Sequence, residues 1–308
     1  MNISNICENT NCKNEVHNSS NYCILHCDKK DYPWGFEDGS LAKFFNRLID
    51  YVIESLIDVD STLLNNVPRK AVKSILSGNN NVFTSINAQH FKQTTVTFVQ
   101  IKFPGRKDVD MFDYLPLLKK FGSLRFHNCE FNTTYLDVND CKCHFSECHF
   151  NSDWCVFENK LLSYEDSTYY QCYFHKKVFS NPENEREYLL SNNLFQECNF
   201  KEKVEFVKVK FEGQIFYNQY DKHELHSLTL SGCQVVADLL IHDMGEAYWI
   251  KLSDTVFKAK FYLKNIVLDE LQVESCEFKD VTDFTFCRPA ISAFKNTLFE
   301  EISIFDNF

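Results

Sequence analysis

The sequence predicts an all-β solenoid, and three observations predict it. Large apolar residues recur every five positions, as in Phe195, Phe200, Phe206, Phe211 and Phe216, with one slip to six. The motif F-x-x-C-x-F appears at 126–131, 145–150 and 195–200. The run Leu263, Leu268, Val273, Phe278 then holds the five-residue step without a slip. Neither the helical period of 3.6 nor the strand period of 2 gives a beat of five. A backbone that turns a corner every few residues does, because each turn returns a large residue to one axis. Self-similarity at a fixed period marks a solenoid, whose units bury their apolar residues by stacking on one another.

The chain reads as three segments: a Cys/His module over 1–30, a helical cap over 31–90 and the solenoid over 91–308. The module has the spacing Cys7-x4-Cys12-x10-Cys23-x2-His26. Two close pairs of soft ligands separated by a polar loop supply the four tetrahedral positions that zinc prefers. Cys7, Cys12, Cys23 and His26 are therefore the expected ligands of one zinc ion per chain, with Cys27 and His17 as spare candidates. So short and polar a segment needs metal to supply its folding energy. Four protein ligands leave no open position, which points to a structural site and away from a catalytic one. The ten residues between the ligand pairs contain Asn-Ser-Ser-Asn, a poor base-reading helix, and the module carries only Lys13, Lys29 and Lys30 as positive charge.

In the next segment Pro33 and Gly35 mark a hinge. Leu41, Phe44, Phe45, Leu48, Val52, Ile53, Leu56 and Ile57 then recur at spacings of three and four, which predicts an amphipathic helix with Asp38 or Ser40 as its N-cap. A second helix is expected over 68–76, started by Pro68 and stopped by Gly78. Exposed strand edges need covering, and these helices are the expected lid on the first coil. The polar side of the first helix is acidic rather than Lys/Arg-rich, which argues against membrane binding.

Within the solenoid the beat breaks twice. Residues 108–121, with Pro116 inside, read as an inserted loop or short helix. Residues 181–190, NPENEREYLL, have the cap, proline and acid order of a helix start. Both are expected to protrude. Phe294, Phe299 and Ile304 carry the beat almost to Phe308 with no lid after them. The expected cover is the same end of a second molecule in a two-fold dimer, or else the chain's own last aromatics in a monomer.

The repeats at Phe126, Cys129, Phe131, at Phe145, Cys148, Phe150 and at Phe195, Cys198, Phe200 resemble the pentapeptide-repeat family. There a large apolar residue, usually Leu, is flanked two positions earlier by a small one, usually Ala; this chain uses Phe and Cys. The resemblance covers roughly residues 91–308 and implies a right-handed quadrilateral β-helix of about twenty residues per coil. Tyr22-Cys23-Ile24-Leu25-His26 is similar to a short module ending YC-x-x-H that precedes bacterial pentapeptide repeats. Some family members present acidic rows that mimic duplex DNA and bind type II topoisomerases, and the topoisomerase-binding kind pair through their C-terminal coils.

Composition narrows the function. The chain has 32 basic and 43 acidic groups, a net charge of -11, which opposes general phosphate-backbone binding. Residues 265–308 hold 3 basic and 9 acidic groups, a net of -6. Lys201, Lys203, Lys208 and Lys210 interrupt the acid earlier. The start MNISNICENTNC has neither a basic n-region nor an apolar h-region. Most of the 14 cysteines occupy the small position before a large apolar residue, where a thiol acts as a small buried hydrophobe. A reducing cytoplasm is the expected compartment.

No G-x-S-x-G, Walker-type, H-E-x-x-H or dinucleotide motif occurs, and eight glycines leave little room for a phosphate-cradling loop. His144, Glu147 and His149 point outward in the expected phasing and read as solvated surface groups. The expected function is a non-enzymatic, cytoplasmic protein-interaction scaffold with an unidentified protein partner. A topoisomerase-like enzyme bound through DNA mimicry is its sharper form, and a nucleic-acid or regulatory adaptor acting through the zinc module is the alternative.

Overall fold

The computed structural model describes residues 6–9, 12–17, 20–29, 39–59, 69–77, 91–105, 114–134, 136, 141–157, 167–180, 188–190, 193–217 and 223–308. The chain divides into two compact units, Met1–Cys143 and His144–Phe308. The hinge at Pro33 and Gly35, the cap residue Asp38, the helix-starting Pro68 and helix-stopping Gly78, and residues 108–113 and 181–187 lie outside the described residues. No described helix is long and apolar enough to cross a membrane.

The first unit contains α1 (Ser40–Val59), α2 (Arg69–Leu76) and four short strands: β1 (Thr95–Val99), β2 (Lys102–Phe103), β3 (Ser123–His127) and β4 (Glu130–Phe131). β1 pairs with β3 and β2 with β4, both in parallel. This register sets like on like: Phe98 stacks on Phe126 with ring centres 5.2 Å apart, and Phe103 on Phe131 at 5.0 Å. α1 buries Leu41, Phe44, Phe45, Leu48, Val52, Ile53 and Leu56, the face its spacing predicts. Phe44 meets Phe103 edge-on, and Tyr51 stacks on Phe98. The Tyr51 hydroxyl donates to the Thr97 carbonyl and accepts the Val99 N–H. The helix therefore covers β1 and satisfies strand groups that would otherwise be bare.

One expectation fails in this unit. Around Pro116 the chain forms a short helix, Leu115–Leu118, but it does not protrude. Leu115, Leu117, Leu118 and Phe121 are buried, and the Tyr114 hydroxyl donates to the Pro104 carbonyl at 3.0 Å. Four large apolar side chains outweigh the loop-forming tendency of one proline, which tolerates the first turn of a helix.

The second unit is a stack of parallel coils. One column of strands runs through Tyr188–Leu190, Val209–Phe211, Gln234–Val235, Val256–Phe257, Glu277–Phe278 and Leu298–Phe299. Residues 188–190 thus form a strand paired with 209–211, where the cap signals predict helix. The ladder partner overrides the local signal, because a strand leaves fewer backbone groups unpaired at a stack edge. A second column carries the longest strands, Leu239–Ser253 and Phe261–Glu274, paired along almost their whole length. Leu263, Leu268, Val273 and Phe278 are buried in sequence, and Phe284 follows after a step of six. Three steps of five and one of six give four inward residues per coil.

Each F-x-x-C-x-F repeat is a corner between two strands. Its third residue takes the left-handed conformation at Asn128, Glu147 and Glu197, with φ of 50°, 54° and 53°. Gln171, Lys208, Asp254, Ser275 and Asn296 repeat the device, and Gly232 fills it once with the residue that meets no Cβ penalty there. The corner N–H stays in the ladder: Glu147 donates to Tyr170, Gln171 to Gln196 and Gly232 to Ser253 on the adjoining coil. The next residue is the small one, and it bonds back across the corner. The thiols of Cys148, Cys172, Cys198 and Cys276 donate to the carbonyls of Ser146, Tyr170, Gln196 and Glu274, two residues earlier. Thr255 and Thr297 do the same with hydroxyls. The position takes a small or branched side chain; Cys and Thr add a donor hydrogen there, and Val209 after Lys208 fills it without one. Burial pushes the Cys276 thiol up to about 11, so it remains a donor.

The following Phe completes the repeat. Phe150, Phe174 and Phe200 stack at 4.6 and 5.1 Å, and Phe257, Phe278 and Phe299 at 4.7 and 5.0 Å. Past the last strand Phe305 stacks on Phe284 at 4.9 Å, and Phe308 meets the same ring edge-on. The last coil therefore carries part of its own cover.

Truncating Phe200 to Ala removes a fully buried ring between stacked neighbours. The expected cost is about 3–5 kcal/mol, from lost transfer energy and the cavity left behind, read by urea unfolding. The native thiols of Cys148, Cys172 and Cys198 should resist labelling until the coil opens, and rapid modification of all three in the folded protein would contradict the inward assignment.

Candidate metal centre

The N-terminal module is held by a few backbone bonds that bring distant ligands together. Cys7 donates its N–H to the Asn14 carbonyl at 2.9 Å beside an antiparallel bridge between Ile6 and Glu15. Cys12 donates its N–H to the Asn9 carbonyl at 3.0 Å, and His17 donates to the Tyr22 carbonyl at 2.8 Å. The N–H groups of His26 and Cys27 then both donate to the Cys23 carbonyl, at 3.0 and 2.9 Å. That single helical turn sets His26 over Cys23, which is what a two-residue spacer between ligands achieves.

The ligand atoms of Cys7, Cys12, Cys23 and His26 all lie within 4.8 Å of one another and could hold a metal ion. His26 Nδ1 is 3.5 Å from Cys7 Sγ and 3.4 Å from Cys23 Sγ, while Cys12 Sγ and Cys23 Sγ are 3.7 Å apart. Burial pushes the Cys23 thiol up to about 12, so an ionised sulfur here needs a cation beside it. Burial pulls His26 down to about 4, helped by the charges of Lys29, Arg47 and Lys102, so its imidazole is neutral and free to ligate.

A shell of hydrogen bonds orients the donors. Asn14 Nδ2 donates to Cys12 Sγ at 3.2 Å, and Arg47 Nε of α1 donates to Asn14 Oδ1 at 2.9 Å. Arg47 is fixed in turn by Glu54. On the other side the Leu25 carbonyl, inside the ligand turn, accepts the Lys102 N–H of β2 at 2.9 Å. The module is thereby tied to both α1 and the first coil.

The spare candidates stand apart. Among the described residues Cys27 and His17 are not in the ligand group. Cys27 is buried next to Lys29, whose Nζ lies 3.7 Å from its sulfur. Lys29 is itself only 3 % exposed, which sequence reasoning missed because nothing in a lone lysine signals burial. Asn14 and Arg47 were equally invisible, being 33 positions apart in the chain.

In the second unit His144, Glu147 and His149 do not converge. His144 bonds Thr168 at 2.8 Å, Glu147 occupies a corner, and His149 Nδ1 meets His175 Nε2 at 3.1 Å while stacking on Tyr173.

No protein-family model matches the chain, and no curated protein or solved structure matches it either.

Replacing Arg47 by Ala should detach Asn14 from α1 and loosen the ligand loop. Loss of a hydrogen bond to a charged group predicts a destabilisation of about 2 kcal/mol, measured by unfolding of the full chain, with faster hydrogen exchange at 12–14.

Proposed function

We propose that the chain is a non-enzymatic, cytoplasmic protein-interaction scaffold, a β-solenoid whose first coil is fastened by one structural zinc ion. The observation that supports an interaction role is an exposed apolar patch on the last coil. Ile291, Leu298, Ile302, Ile304, Phe305 and Phe308 are between 37 and 67 % exposed there. Several large apolar side chains exposed on one coil are more than the scattered single ones of an ordinary surface, and they mark a binding face.

Zinc is the ion the donor set favours. With Zn–S about 2.3 Å and Zn–N about 2.0–2.1 Å, a tetrahedron has edges of about 3.8 Å between sulfurs and about 3.6 Å from sulfur to nitrogen. The distances of 3.7, 3.5 and 3.4 Å fit those edges. Soft thiolates with one imidazole also match zinc's ligand preference. The full-length protein should contain about one equivalent of zinc by elemental analysis, and Cys23→Ser should lose it. A metal-free wild-type chain with an ordered N-terminus would sink the idea.

A second copy of the chain is the proposed occupant of the apolar end, since a two-fold contact matches a patch to itself. Part of the local negative charge is already offset, with Lys279 on Glu277 and Glu300, Lys295 on Glu274 and Lys264 on Asp283. The same interleaving of lysine with acid, including Lys201 on Glu224, favours apolar contact over a DNA-like row of charge as the means of recognising a topoisomerase-like enzyme. Burial of Lys29 likewise weighs against nucleic-acid reading through the zinc module. Light scattering at micromolar concentration should give a dimer mass, and Leu298→Lys with Ile302→Lys should return a monomer. A monomeric wild-type mass removes this occupant and leaves another protein as the partner.

A further inference from the structure

The outer wall of the second unit carries three aromatic rings outside the buried core. The strands Leu225–Ser231 and Leu239–Ser253 pair in parallel with Ser227 opposite Trp249, which sets His226 beside Tyr248. The His226 and Tyr248 rings stack with centres 4.3 Å apart, and Trp249 meets His226 edge-on at 5.7 Å. His226 Nδ1 lies 3.0 Å from the Ser227 hydroxyl, which steadies the ring against Tyr248. Tyr248 itself is 54 % exposed. A ring held in place yet open to solvent is preorganised for contact.

The next strand, Phe261–Glu274, pairs Leu268 with Ala247 and Glu270 with Trp249. Asp269 therefore stands one rung from Tyr248, about 4.8 Å along the stack, on the side away from His226. Asp269 and Ala290, a rung further, are short and exposed, so that face of the Tyr248 ring stays open. Glu246, two residues before Tyr248, is exposed as well. Among the described residues neither Asp269 nor Glu246 forms an ion pair, and Arg288 on the following strand holds neither of them. Glu270, by contrast, is taken by Lys251 at 3.2 Å.

We infer that this wall binds an arginine side chain of a partner protein, its guanidinium lying on the open face of Tyr248 and hydrogen-bonded to the Asp269 carboxylate. This deepens the scaffold reading, on which it rests, through residues other than those of the last-coil patch. A planar cation continues the His226–Tyr248 stack by one more layer, and aromatic faces attract cations within about 6 Å of the ring centre. Arginine suits the place better than lysine, because its flat fork stacks on a ring and still bonds a carboxylate through two N–H groups. Two unpaired carboxylates beside the rings favour a cation over a neutral sugar.

The test titrates an acetylated, amidated Gly-Arg-Gly-Arg-Gly peptide into the full-length chain and follows the Trp249 indole and Tyr248 amide signals by NMR. Both should shift and saturate. Citrulline in place of arginine keeps the shape without the charge and should weaken binding about 10-fold or more, as should Asp269→Asn. Tyr248→Ala should cost about 2–5-fold, the range for an exposed cation–ring contact. Glu212→Gln, which removes an equal charge from another exposed position, should change nothing. Unmoved signals, equal binding of the citrulline peptide, or equal losses in Asp269→Asn and Glu212→Gln would overturn the inference. Signals that move with maltotriose but not with the arginine peptide would overturn it too, in favour of a sugar platform. If the arginine peptide fails while the last-coil patch still assembles, this site falls and the scaffold reading stands; if both fail, the scaffold reading falls with it.

Discussion

Everything in the solenoid depends on one constraint: residues of the same type must arrive at the same corner of successive coils. Parallel pairing sets ring over ring, as in Phe150, Phe174 and Phe200, and offset stacking adds about 0.5–1.5 kcal/mol per pair beyond the burial of area. The left-handed residue before each small side chain keeps its N–H in the ladder, so the turn does not interrupt the pairing. The thiol or hydroxyl that follows adds a second donor to a carbonyl that already accepts the adjoining coil's corner N–H, as at Gln196 and Ser253. Backbone strain of about 1–2 kcal/mol at such a residue is offset by the ladder bond its N–H keeps and by the packing of the rings beside it.

The first unit solves a different problem, the bare start of a ladder. α1 lays Phe44 and Tyr51 on the first rings, and the ligand turn offers its Leu25 carbonyl to β2. A segment with few apolar residues of its own is thus ordered from two sides, through Asn14 and Arg47 to the helix and through Leu25 to the strand. The four ligands, the helix and the first coil form one cooperative group, in which removing any member exposes polar groups on the others.

Much of this was legible in the sequence, and the limits have physical causes. The five-residue beat and the Cys-x-Phe pairs placed Cys129, Cys148, Cys198 and Cys276 on the inner wall, where the structure buries them. The spacing of Cys7, Cys12, Cys23 and His26 marked the group that converges. Local signals failed where tertiary contacts decide. Residues 188–190, at the end of a segment read as helix, pair instead with a strand edge, and Pro116 did not stop Leu115, Leu117 and Leu118 from packing inward. The corner conformation was hidden because Asn, Glu, Gln, Lys, Asp, Ser and Gly all occupy it. Lys29 was hidden because its burial comes from Phe44 and the ligand turn, which the sequence does not place beside it.

Pinning the register at corners has an evolutionary consequence. Phe103 pairs with Phe131 across 28 positions, Phe174 with Phe200 across 26 and Phe278 with Phe299 across 21, yet the stacked rings stay 5.0 to 5.1 Å apart. Length between two corners is therefore nearly decoupled from the core, and closing a somewhat longer loop adds only a few tenths of a kcal/mol. Segments can be gained, lost or exchanged there while the aromatic column persists. Such a scaffold lets its outer surface diverge much faster than its interior, and it offers natural positions for grafting foreign peptides onto a rigid frame.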